Sequence, residues 1–168
     1  MTQIKLADSS HVQGIINVCR DGYTDVSKGI LSDELIQKNC EKYYNKDRIM
    51  NEVSGVSKSW GGYFVAIENN QVVGAGGGGL IDDDKARLYV LYLDPSERNR
   101  GIGSKLLEAI TIQQKNLGAK EQYVTVQKDN MKGIPFYKAR GFTFVEEISS
   151  KNIDQEPNAI VYEFKRSI

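Results

Sequence analysis

The residues best placed to do chemistry lie in one stretch near the middle of the chain. Leu91-Tyr92-Leu93-Asp94-Pro95 closes an apolar, aromatic run, and Arg98-Asn99-Arg100-Gly101-Ile102-Gly103-Ser104 leads from it into an amphipathic segment. A strand that empties through a glycine-bearing loop into a helix gathers unpaired backbone N–H groups at the positive end of a helix dipole. Such a turn holds phosphate. Gly101 and Gly103 would let a ligand approach the main chain, the amides from Arg100 to Ser104 could converge on a diphosphate, and Arg98 and Arg100 add charge. Alone, the pattern is short, and an ordinary helix start fits it equally well.

A second constellation is Asn130 and, seven residues on, Tyr137, followed by Lys138-Ala139-Arg140-Gly141-Phe142. Tyrosine can donate a proton, but a lone tyrosine among apolar neighbours is more often a packed aromatic. A third, Gly74-Ala75-Gly76-Gly77-Gly78-Gly79, satisfies G-x-G-x-x-G. A dinucleotide fingerprint has to open a helix. These glycines instead run into Leu80-Ile81-Asp82-Asp83-Asp84, a solvated hairpin tip, and another strand. The oxidoreductase reading fails on that point, and the glycines mark a bulge or a close approach by backbone or ligand.

Composition narrows the field further. Twenty-two basic side chains balance twenty-two acidic ones, so the basic surplus needed for non-specific nucleic-acid binding is missing. The 168 residues, 40% hydrophobic and 26% charged, read as one globular domain spanning 1–168. One histidine and two cysteines are too few for a Cys/His metal cluster, and no metal is expected. Cys19 and Cys40 fall on separate helices and read as free, buried thiols. His11, in a first helical turn, reads as solvated. No apolar signal core and no long apolar run suggest a membrane, so a cytoplasmic location is expected.

The elements that must position these residues follow from periodicity. Gln3–Leu6 is a short strand, and Asp8-Ser9-Ser10 caps a helix whose buried face is Val12, Ile15, Ile16 and Cys19. Asp21 to Gly29 reads as a polar loop, and Ser32 caps a second helix through Leu35, Ile36, Asn39, Cys40 and Tyr43. Asp21, Asp25, Asp33, Glu34 and Glu41 make this region acidic: a solvated face, or a collar for a cationic substrate. Asn51 to Gly62, with the only tryptophan, Trp60, reads as a long mobile connection. Strands follow at Tyr63–Glu68, from Gln71 after an Asn69-Asn70 turn, and at Ala86–Leu93. Then come a helix from Gly103 to Leu117 stopped by Gly118, a strand Glu121–Val126, and a short helix Ile134–Arg140 with Pro135 in its first turn. A strand Phe142–Glu147, a polar loop 149–158 and a strand Ala159–Lys165 end the chain. The expected class is α/β (α+β): a mixed, mostly antiparallel central sheet flanked by helices, ordered β-α-α-β-β-β-α-β-α-β-β.

This order, with Arg98-x-x-Gly101-x-Gly103 after one strand and Asn130 and Phe136-Tyr137-Lys138-Ala139-Arg140-Gly141-Phe142 after the next, resembles the GCN5-related N-acetyltransferase (GNAT) superfamily. The close match covers roughly residues 63–144. The resemblance implies acetyl-CoA as co-substrate, its diphosphate on the loop Arg98, Asn99, Arg100, Gly101, Ile102, Gly103 and Ser104. It implies a pantetheine arm hydrogen-bonded to the main chain of Leu91, Tyr92 and Leu93, on a strand splayed from its neighbour by a bulge. Asn130 would contact the cofactor and Tyr137 would lie beside its sulfur as the acid. A tyrosine of pKa about 10 gives its proton to a thiolate near 8.5 uphill by about 2 kcal/mol, and nearby positive charge would narrow that gap. Some members carry a glutamate base five residues before the asparagine, where this chain has Thr125. The base is therefore unassigned, with water relayed by Tyr92, Tyr123 or Thr125, or an acid from the N-terminal helices, as candidates, while an amine already partly neutral would need no base.

The leading expectation is direct acetyl transfer to a primary amine, a cationic small molecule of the polyamine or aminoglycoside type. Protein or peptide amines, and a non-catalytic acyl-CoA sensor, are the alternatives. No nucleic-acid or membrane partner is expected, and a homodimer is left open.

Overall fold

The computed structural model describes residues 1–149 and 160–168, so the expected loop at 150–158 and Ala159 lie outside the described residues. Seven strands form one sheet: β1 (Gln3–Leu6), β2 (Phe64–Glu68), β3 (Gln71–Leu80), β4 (Lys85–Leu93), β5 (Glu121–Gln127), β6 (Thr143–Ser149) and β7 (Ile160–Ser167). Their spatial order is β1-β2-β3-β4-β5-β7-β6, and every neighbouring pair is antiparallel except β4 and β5. Helices α1 (Val12–Ser27), α2 (Asp33–Tyr43) and α3 (Lys46–Ser54) precede the central strands, α4 (Ile102–Asn116) links β4 to β5, and α5 (Gly133–Ala139) follows β5. Among the described residues no helix is long and apolar enough to cross a membrane.

Two expectations about the N-terminal part are corrected. The polar segment after Cys19 continues α1 to Ser27, because Gly22, Tyr23 and Ser27 are buried there. Gly22 sits so close to β4 that an added Cβ would lie 2.8 Å from the Tyr92 Cβ. Tertiary packing thus overrides a weak helix propensity. Residues 46–54 form a third helix, α3, capped by the Asn45 side chain, which accepts from the Arg48 N–H at 2.9 Å. Ile49 and Val53, one turn apart, are buried on it. His11 is also less solvated than expected: its Nδ1 accepts from the Asp8 N–H at 3.0 Å and its side chain is half-buried.

Both faces of the sheet are covered. Val65, Ala75 and Val90 meet Val12, Ile15 and Cys19 of α1 and Ile49 and Val53 of α3. On the other face Ala66 and Val73 meet Ile102 and Leu106 of α4, while Leu88, Val124 and Phe164 pack with Leu107, Ile110 and Tyr137. Cys19 and Cys40 are free and buried.

The glycine run lies within β3 and opens no helix. The segment 57–62 crosses directly over it: the Gly61 N–H donates to the Gly78 carbonyl and the Leu80 N–H to the Lys58 carbonyl, both at 2.8 Å. A Cβ on Gly79 would stand 2.1 Å from the Ser59 carbonyl oxygen, and one on Gly77 would stand 2.6 Å from that of Gly62. Close approach by backbone explains the tract. We expect Gly79→Ala to lift this strap at a cost of about 2 kcal/mol, seen as a Tm lower by about 4–8 °C. An unchanged melting curve would show that the strap does not press on β3.

β4 carries the feature that shapes the site. Its register against β3 jumps between Gly77↔Val90 and Gly78↔Leu88, leaving Tyr89 as an extra residue. A bulge reverses the facing of everything after it. Leu88 faces α4, and past the bulge Leu91 and Leu93 share that side while Val90 and Tyr92 turn toward α1. Pairing with β5 spans only Lys85–Leu88 against Glu121–Val124. Beyond Leu88 the two parallel strands separate.

Candidate active site

The gap between the ends of β4 and β5 opens into two cavities. The first is a cleft of about 510 Å³ whose walls include Leu91, Tyr92, Leu93, Arg98, Asn99, Gly101, Gly103, Ser104, Asn130 and Tyr137. The second, about 340 Å³, lies toward α1 and α2 and shares Val26, Leu91, Tyr92, Asn130 and Tyr137 with the first. Tyr137 therefore stands where the two meet.

The first cleft gathers backbone and side-chain features that suit an anion. Gly101 takes φ +79° at the N-terminus of α4, and no side chain caps that helix. By contrast α2 and α3 are capped by Ser32 and Asn45. The first-turn amides of α4 from Ile102 to Ser104 thus lack intrahelical acceptors. Gly103 is tightly packed, since a Cβ there would meet the Phe136 ring at 3.1 Å. The Asp94 N–H donates to the Val73 carbonyl at 2.9 Å. Strand alternation then turns the N–H groups of Leu91 and Leu93 away from β3, toward the gap.

Basic side chains gather around this loop, though not the pair expected. Arg98 lines the cleft, held at 3.2 Å by Asp25, and its Nε is buried with no hydrogen-bond partner. Arg100 turns away, its guanidinium paired with both oxygens of Glu68 at 2.8 and 2.9 Å and also with Glu97. That hold brings the Glu68 carboxyl down to about 2. Ile102 is buried beneath the sheet and is absent from the cleft wall. The cleft's other cations are Lys132 and Arg140. Lys132 donates to Asp25 at 2.8 Å, and this hydrogen bond, helped by Arg98, lowers the Asp25 pKa. Arg140 lies 3.7 Å from the centre of the Phe136 ring and donates through Nε to Ser104 Oγ at 2.9 Å. Asn130 Oδ1 accepts from the Gly133 N–H at 2.8 Å and so fixes the start of α5. Lys132 and Arg140 were missed in the sequence although they flank Asn130 and Tyr137 within the same motif.

Tyr137 is buried, edge-on to Phe136 and Phe142, and its hydroxyl has no hydrogen-bond partner among the described residues. Burial pushes its pKa up, and Arg140 offsets this only in part. Positive charge does act downward as expected, but desolvation is the larger effect.

The second cavity is lined by six of the chain's nine tyrosines: Tyr23, Tyr43, Tyr44, Tyr89, Tyr92 and Tyr137. Tyr23, Tyr44 and Tyr92 form a mutual triad with centroids 6.1–6.3 Å apart. Asn39 donates to the Tyr23 hydroxyl at 2.8 Å, and the Gln127 Oε1 is buried without a partner. Tyr89 owes its place there to the bulge. None of the acids between Asp21 and Glu41 lines this cavity, so the expected collar is not at its wall. Among the described residues there is no group of three or more His, Cys, Asp or Glu side chains that could hold a metal.

Residues 30–142 match the model of the acetyltransferase (GNAT) family. The chain is 29% identical over 142 residues to a spermidine N(1)-acetyltransferase of Thermoplasma acidophilum, covering 83% of this chain and 87% of that protein. Its fold matches the crystal structure of the PaiA N-acetyltransferase of the same organism in complex with coenzyme A, with a TM-score of 0.82, 24% identity and 99% of each chain covered. A GCN5-related N-acetyltransferase from Rhodopseudomonas palustris superposes with a TM-score of 0.80 at 15% identity, covering 100% of this chain and 96% of that one.

Proposed function

The chain belongs to the acetyltransferase (GNAT) family, and on that premise we propose that it moves the acetyl group of acetyl-CoA directly onto a small-molecule primary amine. The observation that carries this reading is the meeting of a cleft ringed by basic side chains and a separate tyrosine-lined cavity along a shared wall that includes Tyr137. The diphosphate would rest on the open N-terminus of α4, with Arg98, Lys132 and Arg140 around it. Arg98 Nε, a buried donor without an acceptor, is the group such an anion would satisfy. The arm would run along Leu91, Tyr92 and Leu93 like an added strand, bonding main-chain groups that β5 leaves free. Asn130 would stand beside it.

The acceptor enters from the second cavity. Its nitrogen lone pair attacks the thioester carbonyl, a β4 amide stabilises the oxyanion, and the carbon–sulfur bond breaks with the electron pair going to sulfur. Tyr137 hands its proton to that sulfur. Its raised pKa makes the transfer steeper than for a free tyrosine. The sulfur, leaving within the same desolvated wall, is made more basic by the same effect.

The polyamine class rests on two supports: the spermidine-acetylating relative and a cavity sized for one small molecule. We treat residues 1–168 as one domain and place it in the cytoplasm, where free Cys19 and Cys40 suit a reducing compartment. The test is release of free thiol from acetyl-CoA with and without added amines. Turnover with spermidine but not with peptide N-termini is expected. Turnover with peptides alone would move the assignment to protein amines.

A further inference from the structure

Among the described residues no Asp, Glu, His, Lys or Arg lines the acceptor cavity. The titratable groups facing it are Tyr23 of α1, Tyr43 of α2 and Tyr44 just after it, Tyr89 and Tyr92 of β4, and Tyr137 of α5. From β5 and β7 come Thr125, Gln127 and Val161, which do not titrate. Charged groups stand behind these walls: Lys42 and Arg48 lie over the Tyr43 ring, 5.1 and 4.8 Å from its centre, and the Arg20 Nε donates to the Tyr44 carbonyl at 3.0 Å. Glu163 of β7, in register with Thr125, accepts from Arg87 at 2.6 Å. Asp25 is shared by Arg98 and Lys132. Burial also raises Tyr23, Tyr44, Tyr92 and Tyr137 above the ordinary tyrosine value, so these hydroxyls keep their protons and act as donors.

Building on the acetyltransferase reading, we infer that this cavity takes the acceptor amine only as its neutral free base, the ammonium proton being lost to water before entry, with no side chain among the described residues serving as the base for that step. An ammonium brings donors alone and needs a carboxylate when desolvated. Burying one without such a partner can bring its pKa from about 10.4 down to about 5–6. A neutral amine fits what is present. Its lone pair can accept from a tyrosine hydroxyl, and its N–H can donate to the Gln127 Oε1, the buried acceptor that has no partner.

The protons balance without a base. RNH3+ gives one proton to water, and RNH2 forms the carbon–nitrogen bond. The surplus proton on nitrogen then passes to the Tyr137 oxygen as Tyr137's own proton passes to sulfur. The products are the amide and the free thiol. Thr125, where some relatives carry a glutamate, then needs no substitute.

The test compares spermidine with a spermidine fluorinated beside its aminopropyl nitrogen, whose amine pKa is lower. Thiol release at saturating acetyl-CoA gives kcat/KM for each amine from pH 6.5 to 10. Both curves are expected to rise tenfold per pH unit and to level at each amine's own pKa, superimposing when plotted against free-base concentration. Curves that level at one pH common to both amines, and decline above each amine's pKa, would reveal a protein base and overturn the inference while leaving the acetyltransferase reading intact. No thiol release with any amine would instead bring down the acceptor assignment on which the inference rests.

Discussion

A Tyr137→Phe enzyme is expected to lose about a hundredfold or more in kcat, the range for a positioned acid, while its affinity for coenzyme A changes by less than about threefold. The substitution removes one oxygen from a ring whose packing against Phe136 and Phe142 stays in place. That oxygen has no hydrogen-bond partner among the described residues, so its loss leaves no orphaned group behind. The effect should therefore fall on chemistry and leave folding alone. Since burial raises Tyr137, the wild-type enzyme should show no loss of kcat from deprotonation of this acid up to pH 10. Steady-state kinetics beside calorimetry of coenzyme A decides the matter, and an unchanged kcat removes Tyr137 from the acid role.

Gly101→Val should act on the opposite quantity. At φ +79° a β-branched residue is strained, by about 1–2 kcal/mol. No protein atom lies within 4 Å of the added Cβ, so the chain should still fold. What changes is the cradle. The residue lines the cleft beside amides proposed to hold the diphosphate, and displacing two charge-assisted hydrogen bonds costs about 3 kcal/mol or more. Affinity for coenzyme A should drop at least about a hundredfold, with Tm only slightly lowered. Normal affinity in this variant would refute the diphosphate placement.

The sheet, the glycine loop before α4 and the short helix carrying Tyr137 were legible because each is written in local pattern: alternation, a glycine at positive φ, a proline in a first turn. What escaped depends on partners distant in sequence. The second half of α1 looks like a loop until Gly22 and Tyr23 find β4 and Asn39. The helix α3 did leave a local trace, Asn45 followed by Ile49 and Val53, which the polar residues around it obscured. Arg100 and Arg140 are equally cationic in the sequence. Their partners, Glu68 and Glu97 for Arg100 and Ser104 and Phe136 for Arg140, decide which of the two serves the cleft. The acidic stretch 21–41 suggested a collar by count. In space its Asp25 bridges two cations at the first cleft, and the second cavity is walled by neutral aromatics.

The bulge at Tyr89 has a consequence for how this protein can change. In an unbroken strand a residue's parity ties it to every other residue of the same parity, so reshaping a pocket at one end disturbs the core at the other. One extra residue cuts that tie. The positions before Leu88 answer to the interior of the sheet, whereas those from Leu88 through Tyr92 also answer to whatever occupies the second cavity. The two halves of β4 can vary as separate modules. Drift in substrate preference can then proceed at the far end without redesign of the near one, and loss of that single residue would fuse the two constraints again.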